Sequence, residues 1–182
     1  MLIMTGASAS GKTEIAKILI QKHGFQKMIT YTTRPMRDNE KNGLDYHFIT
    51  IEDFIEKTKQ NFFIETTVYN NHYYGTAFQD AAADKVLIVD TFGANELFER
   101  LGTKAVFFYL ESKAEIRKER MIMRGDRLGD IKKRLENDAI FFQQKNMVHI
   151  DYIIDTNTAG LDELASKINL IYQSHQKKQG SL

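Results

Sequence analysis

The chain has no cysteine, a single proline among 182 residues, and no apolar run approaching the roughly 18 residues that span a bilayer. Without cysteine, disulfides and thiolate metal sites are excluded, and a reducing compartment suits the composition. Neither sign of charge is in excess: 25 Lys and Arg stand against 24 Asp and Glu, a formal net charge of +1. No global field therefore favours nucleic acid or membrane, and any site for a polyanion must be assembled locally. No signal-like leader precedes the first apolar run, so a soluble, cytoplasmic protein with no nucleic-acid or membrane partner is the expectation. The length suits one substantial core with room for a small insertion, and no internal repeat is visible.

What the chain does have stands at its start. Met1 to Thr5 reads as a buried strand and runs into Gly6-Ala7-Ser8-Ala9-Ser10-Gly11-Lys12-Thr13, which is G-x-x-x-x-G-K-[ST], the P-loop. Glycines at both ends let successive backbone N–H groups turn inward onto phosphate oxygens, and the helix that follows adds its positive N-terminal end. In this motif Lys12 reaches the β- and γ-phosphates and the Thr13 hydroxyl holds Mg²⁺. The next residues, Glu14 to Ile20, are apolar at 15, 16, 18, 19 and 20, as suits a helix largely covered by protein.

Lys22-His23-Gly24 reads as the stop of that helix, and Phe25 to Tyr31 as a second strand. Residues 32–43 form a polar loop with the only proline, Pro35, between Arg34 and Arg37, two guanidinium groups able to fork onto one phosphate. A short strand over Asp45 to Ile49, a capping box at Thr50 to Asp53 opening a helix to Lys59, and strands Phe62–Tyr69 and His72–Thr76 about an Asn70-Asn71 turn complete a small antiparallel lobe, residues 32–79. Glu65 interrupts an apolar strand, where an ionised carboxylate is costly unless it meets donors.

Val86 to Asp90 reads as a central parallel strand with Asp90 at its carboxyl end, the edge at which open α/β sheets bind ligands. A helix over Gly93 to Leu101 and a strand over Lys104 to Leu110 follow. Ser112 to Glu115 resembles a second capping box, opening a helix to Arg124. On it Arg117, Arg120 and Arg124 share one face, and beyond the break at Gly125-Asp126 come Arg127 and Arg134. Arginines about a hinge suggest a lid closing over phosphates. The second lid helix is expected to run to Val148, with Phe141, Phe142 and Met147 in the core. A strand over Asp151 to Ile154, a helix over Leu161 to Tyr172 and a frayed tail over 173–182 end the chain.

Taken together these segments resemble the guanylate kinase family of P-loop nucleoside monophosphate kinases. The most specific stretches are Thr30-Tyr31-Thr32-Thr33-Arg34-Pro35-Met36-Arg37, Gly43-Leu44-Asp45-Tyr46-His47-Phe48, Phe63-Ile64-Glu65 and Asn71-His72-Tyr73-Tyr74-Gly75-Thr76. The resemblance implies a P-loop NTPase fold, a three-layer α/β/α sandwich with a central parallel sheet, an inserted antiparallel GMP-binding lobe and a helical lid. The core would comprise 1–31, 80–115 and 135–172, and the lid 116–134. It implies ATP and GMP as substrates, Mg²⁺ as cofactor, and transfer of a phosphoryl group between the two. Thr30, Arg34, Arg37, Tyr46 and Tyr74 would surround the GMP phosphate. Glu65, with Thr76 and Asp90, would read the guanine side, and Lys12, Arg34, Arg120, Arg124 and Arg134 would be catalytic. Gly6, Ala7, Ser8, Ala9, Ser10, Gly11, Lys12 and Thr13 would hold ATP.

The resemblance breaks at three places. Ile88 and Phe92 stand where the family carries its first acidic residue and a glutamine, Thr30 replaces a serine, and Asp155 stands at the family's adenine-side asparagine. Two rival readings remain open at this point: a related small-molecule kinase acting on a sugar phosphate, such as the ribose 1,5-bisphosphate kinases, and a guanylate-kinase-like binding module without catalysis. The oligomeric state is not legible.

Overall fold

The computed structural model describes residues 1–69 and 71–179, which build two sheets. The larger is wholly parallel, in the order β2-β7-β1-β8-β9, with β1 Leu2–Thr5, β2 Gln26–Lys27, β7 Lys85–Ile88, β8 Val106–Glu111 and β9 Tyr152–Asp155. Alternation along β1 and β8 divides their apolar residues between two cores. Leu2, Met4, Val106, Phe108 and Leu110 face Ile15 and Leu19 of α1 (Lys12–Lys22) and Leu164 and Ile168 of α6 (Leu161–Gln179). Ile3, Leu87 and Phe107 face Ala94 and Leu97 of α3 (Thr91–Leu101) on the other side. Burial on both faces is why these strands read as continuous apolar runs, and it yields the three-layer α/β/α order.

The smaller sheet has the order β4-β3-β6-β5, with β3 Tyr31–Thr32, β4 His47–Phe48, β5 Phe63–Tyr69 and β6 His72–Ala77. The β5–β6 and β3–β6 pairs are antiparallel, and β4 adds to the edge in parallel. Asn71 turns the hairpin at φ 63°, while its partner in the expected turn, Asn70, lies outside the described residues. Helix α2 (Ile51–Lys59) is capped by Thr50, whose hydroxyl accepts from Asp53 N, as the capping box predicts. It buries one large residue, Phe54, which stacks on Phe63 at 4.5 Å. Gly75 lies beneath that ring, where a Cβ would come within 2.8 Å of Phe63. Phe54 thereby joins Tyr31, Phe63 and Ala77 in a small core of the lobe's own, and its burial is worth about 2–3 kcal/mol to the docking of α2.

Several expectations are corrected. The strand expected over Phe25 to Tyr31 divides between the sheets, because Met28 turns into the core and hydrogen-bonds through its N–H to Val86 O. Helix α3 begins at Thr91 rather than Gly93, with Asp90 as its cap. The second capping box does not form: α4 (Ala114–Met123) has Lys113 at its cap position with no side-chain bond of its own. Asn157 Oδ1 accepts from Lys113 N instead, with the Ser112 hydroxyl 3.4 Å from the same oxygen. Helix α5 (Leu128–Phe141) ends before Val148, since Thr91 Oγ1 and Asn146 Nδ2 take the Phe141 carbonyl and Tyr109 takes that of Phe142. Phe141 is consequently exposed rather than core. Helix α6 continues through the expected tail to Gln179, anchored by Tyr172 donating to Ala83 O. Among the described residues no helix is long and apolar enough to cross a membrane.

Candidate functional site

The P-loop leaves the carboxyl end of β1, between its neighbours β7 and β8, where the crossovers of the sheet diverge. Gly6 sits at φ 145°, and a Cβ there would stand 2.4 Å from the Leu110 carbonyl oxygen. Gly11 at φ 97° caps α1 in the left-handed region, and Ala9 takes the same hand at φ 60°. Replacing Gly6 by alanine is therefore expected to cost about 1–3 kcal/mol, because backbone must move to relieve the clash. Urea unfolding would show it as a lower midpoint at unchanged m-value.

Lys12 folds back over the loop, its Nζ 2.5 Å from Gly6 O and 2.8 Å from Ala7 O. Burial pushes its pKa down to about 8, an effect opposed by Asp138 and reinforced by Arg117. The ammonium therefore stands in the cradle on weak carbonyl partners, from which a phosphate would draw it by full charge. Thr13 is exposed on the first turn of α1. Among the described residues no group of three or more His, Asp or Glu could hold a metal. The Thr13 hydroxyl, which borders the cavity beside the loop, is a hard oxygen donor of the kind Mg²⁺ takes together with nucleotide phosphates and water.

Beside the loop lies a cavity of about 390 Å³ lined by Ala9, Lys12, Thr13, Arg120, Arg124 and Leu161 among others. Arg120 Nη1 donates to Ala9 O at 3.2 Å and Nη2 to Thr156 O, so Arg120 of α4 already grips the loop. Arg124 and Arg134 instead converge on Asp126, Arg124 through Nε at 2.9 Å and Arg134 through Nη1 at 3.4 Å. Arg134 is exposed and outside the cavity. Arg117, expected on the same face as Arg120 and Arg124, is buried and paired with Asp138.

The second cavity, about 520 Å³, lies between the two sheets and holds every residue expected at the acceptor: Thr30, Arg34, Arg37, Tyr46, Glu65, Tyr74, Thr76 and Asp90. Its size suits a nucleotide. The Arg34 guanidinium lies 5.5 Å from the Tyr46 ring and 5.6 Å from that of Phe48. Its Nη2 donates to Glu40 Oε1 at 2.6 Å, while Glu40 Oε2 accepts from Arg37 N at 2.8 Å. The pKa of Glu40 is lowered, first by the Arg34 bond and then by that from Arg37. One carboxylate thus already gathers donors from both arginine positions, the arrangement an oxyanion requires. Sequence reasoning missed Glu40, whose only local signal is its place three residues after Arg37 in a turn.

Deeper in, Glu65 is 7% exposed and Thr76 fully buried, with Thr76 Oγ1 donating to Glu65 Oε1 at 2.6 Å. Burial raises the Glu65 pKa to about 7, with the Thr76 bond lowering it and Glu96 and Asp90 raising it further. Asp90 spends one oxygen on capping α3, accepting from Gly93 N at 2.8 Å. Ile88 lines the wall beside it, and Phe92 is exposed, 6.0 Å from the Phe141 ring. A third cavity, about 470 Å³, shares Thr13 with the cavity beside the loop, and Thr30, Tyr46, Leu87 and Ile88 with the cavity between the sheets. At the adenine-side position, Asp155 Oδ1 accepts from the N–H and the amide of Asn157.

The profile of the family described as Guanylate kinase matches residues 1–174. The guanylate kinase of Chromohalobacter salexigens is 31% identical, over 93% of this chain and 82% of its own length. That of Helicobacter hepaticus is 32% identical, over 97% and 94%. Among solved structures, a guanylate kinase from Anaplasma phagocytophilum superposes with a TM-score of 0.66 at 22% identity, covering 97% of this chain and 85% of that one.

Proposed function

The chain belongs to the guanylate kinase family, and from that premise we infer that it transfers the γ-phosphoryl group of ATP to GMP or dGMP, giving ADP and the nucleoside diphosphate. The observation that carries the acceptor assignment is the buried Glu65–Thr76 pair at the end of a cavity whose opposite part holds Arg34, Arg37, Tyr46 and Tyr74. Guanine presents two adjacent donors, N1–H and the exocyclic amine, to which a carboxylate is complementary. Adenine offers an acceptor at N1 and only a C2–H where guanine carries its 2-amino group, and a site left with unpaired buried groups can discriminate by about 10⁴-fold.

The acceptor phosphate enters already ionised, so the reaction needs alignment and charge neutralisation more than a base. The Arg34 guanidinium and the Arg37 backbone N–H exchange Glu40 for phosphate oxygens, the Arg37 guanidinium joins them from the same cavity wall, and together they aim one phosphate oxygen at the γ-phosphorus. The inward N–H groups of the loop and Lys12 receive the β- and γ-phosphates of ATP, and charge developing on the bridging oxygen falls to Lys12 and the lid arginines. Thr13 would hold Mg²⁺, which supplies further neutralisation of the β- and γ-oxygens. Arg124 and Arg134, exposed and paired with Asp126, are free to move onto the transferring group when the lid closes and water is excluded.

Coupled ADP release across a panel of acceptors tests this. GMP and dGMP are expected to be turned over and AMP at least about 10³-fold less efficiently. Turnover of a ribose phosphate with none of GMP would overturn the reading in favour of a sugar-phosphate kinase. Binding of GMP without ADP release would favour the non-catalytic module.

A further inference from the structure

The bend of the P-loop at Ser8 and Ala9 is held by side chains of α4 and α5. Asp138 of α5 accepts from Ser8 N at 2.9 Å through Oδ2 and from Ser8 Oγ at 3.1 Å through Oδ1. Arg117 of α4 donates to Asp138 Oδ2 at 2.6 Å, reaches Ser8 O at 3.4 Å through the same nitrogen, and uses Nε on Ser112 O at 3.3 Å. One residue on, Arg120 of α4 holds Ala9 O. Both members of the ion pair are almost fully buried, with side chains 7% and 6% exposed.

Two physical points make this more than packing. Ala9 stands at φ 60°, a conformation disfavoured for alanine that persists only where neighbours over-determine it, and the bonds to Ser8 and Ala9 flank that torsion on both sides. A buried ion pair, moreover, contributes little net stability compared with apolar residues of similar volume, so cohesion alone is a weak account of this one. We propose that Asp138, paired with Arg117, is a positioning residue that fixes this bend of the P-loop and ties the loop's shape to α4 and α5. It lies outside the linings of the cavity beside the loop and of the cavity between the sheets, and it acts through Ser8. The consequence is reciprocal: a loop filled by triphosphate favours one placement of α4 and α5, and that placement favours the filled loop.

The proposal rests on the kinase reading for its turnover assay, so ADP binding by calorimetry is measured beside turnover and reports on the loop even if GMP proves not to be the acceptor. Asp138→Asn is expected to weaken ADP binding and raise the KM for ATP about tenfold while the KM for GMP stays within about twofold. A merely cohesive pair would lower Tm and the active fraction while leaving both KM values in place. The double variant Arg117→Met/Asp138→Leu separates these further, and covers the case in which Asp138→Asn does not fold. Its apolar pair removes the buried charges and is expected to keep a Tm near wild type, yet Ser8 loses its acceptor, so the ATP-side defect persists. A double variant with wild-type ADP affinity and wild-type KM for ATP would overturn the proposal.

Discussion

Lys12→Ala is expected to reduce phosphoryl transfer by on the order of 10³-fold or more while weakening ADP binding by much less, near about tenfold. The asymmetry follows from where the ammonium stands. Its present partners are neutral acceptors, the carbonyls of Gly6 and Ala7 at 2.5 and 2.8 Å and the Ser10 hydroxyl at 3.4 Å, in surroundings dry enough to push its pKa down to about 8. A charge kept in such a place is poorly compensated until phosphate arrives, and its attraction grows as charge moves onto the bridging oxygen during transfer. The other loop donors are backbone N–H groups, which alanine leaves in place, so the ground-state complex survives. Thermal stability is expected to change little, because the variant loses hydrogen bonds to two carbonyls but also a costly buried cation. Initial rates of ADP formation at saturating ATP and GMP, beside calorimetric ADP affinities, check both halves. A variant retaining about a tenth of wild-type turnover would remove Lys12 from the chemistry.

Which parts of this site could be read in the chain follows from how local their causes are. The strand–loop–helix at the start, the cap at Thr50 and the hairpin carrying Glu65 and Thr76 depend on residues a few positions apart, and pattern alone locates them. The end of α5 does not, because it is decided by Thr91 and Tyr109, about fifty and thirty residues away along the chain. Nor does the continuation of α6, which Tyr172 secures on Ala83. Helical spacing placed Arg117 beside Arg120 and Arg124 correctly, yet a shared face does not mean a shared fate. Arg117 lies over the loop and meets Asp138, while Arg124, near the helix end, bonds to Asp126. Asp138 itself carries no local signal, and only the packing of α5 against the loop makes it an acceptor for Ser8. Asp90 was legible as the acid at the strand's end, though not as a helix cap. Ile88 was legible as a departure, and it leaves the loop side of the cleft apolar where another acid would have added an oxygen.

Glu65→Gln is expected to make the protein more stable and a poorer kinase at once. Burial raises the Glu65 carboxyl from 4.5 in the unfolded chain to about 7 in the fold, so the folded state binds its proton more tightly. Between those two values the native protein carries more bound protons than the unfolded one, and stability falls as pH rises through that window. Above it the ionised carboxylate costs roughly 2–4 kcal/mol, a penalty that an amide of nearly the same shape does not incur. The variant should therefore melt above wild type near about pH 8 and close to it near about pH 5. For function the sign is opposite. Only the carboxylate presents two acceptors to guanine, whereas the amide sets one of its own N–H donors against a donor of the base. A loss in kcat/KM for GMP on the order of 10²–10³-fold follows, with the preference over AMP narrowed, since that N–H suits adenine N1. The same logic gives wild type a kcat/KM for GMP that declines on acidification through about 7, the value for free enzyme, and a flatter profile for the variant. Paired melting curves and pH–rate profiles would decide: unchanged GMP efficiency, or a lower melting temperature for the variant at the alkaline end, would show that Glu65 is not held there as a destabilising reader of the base.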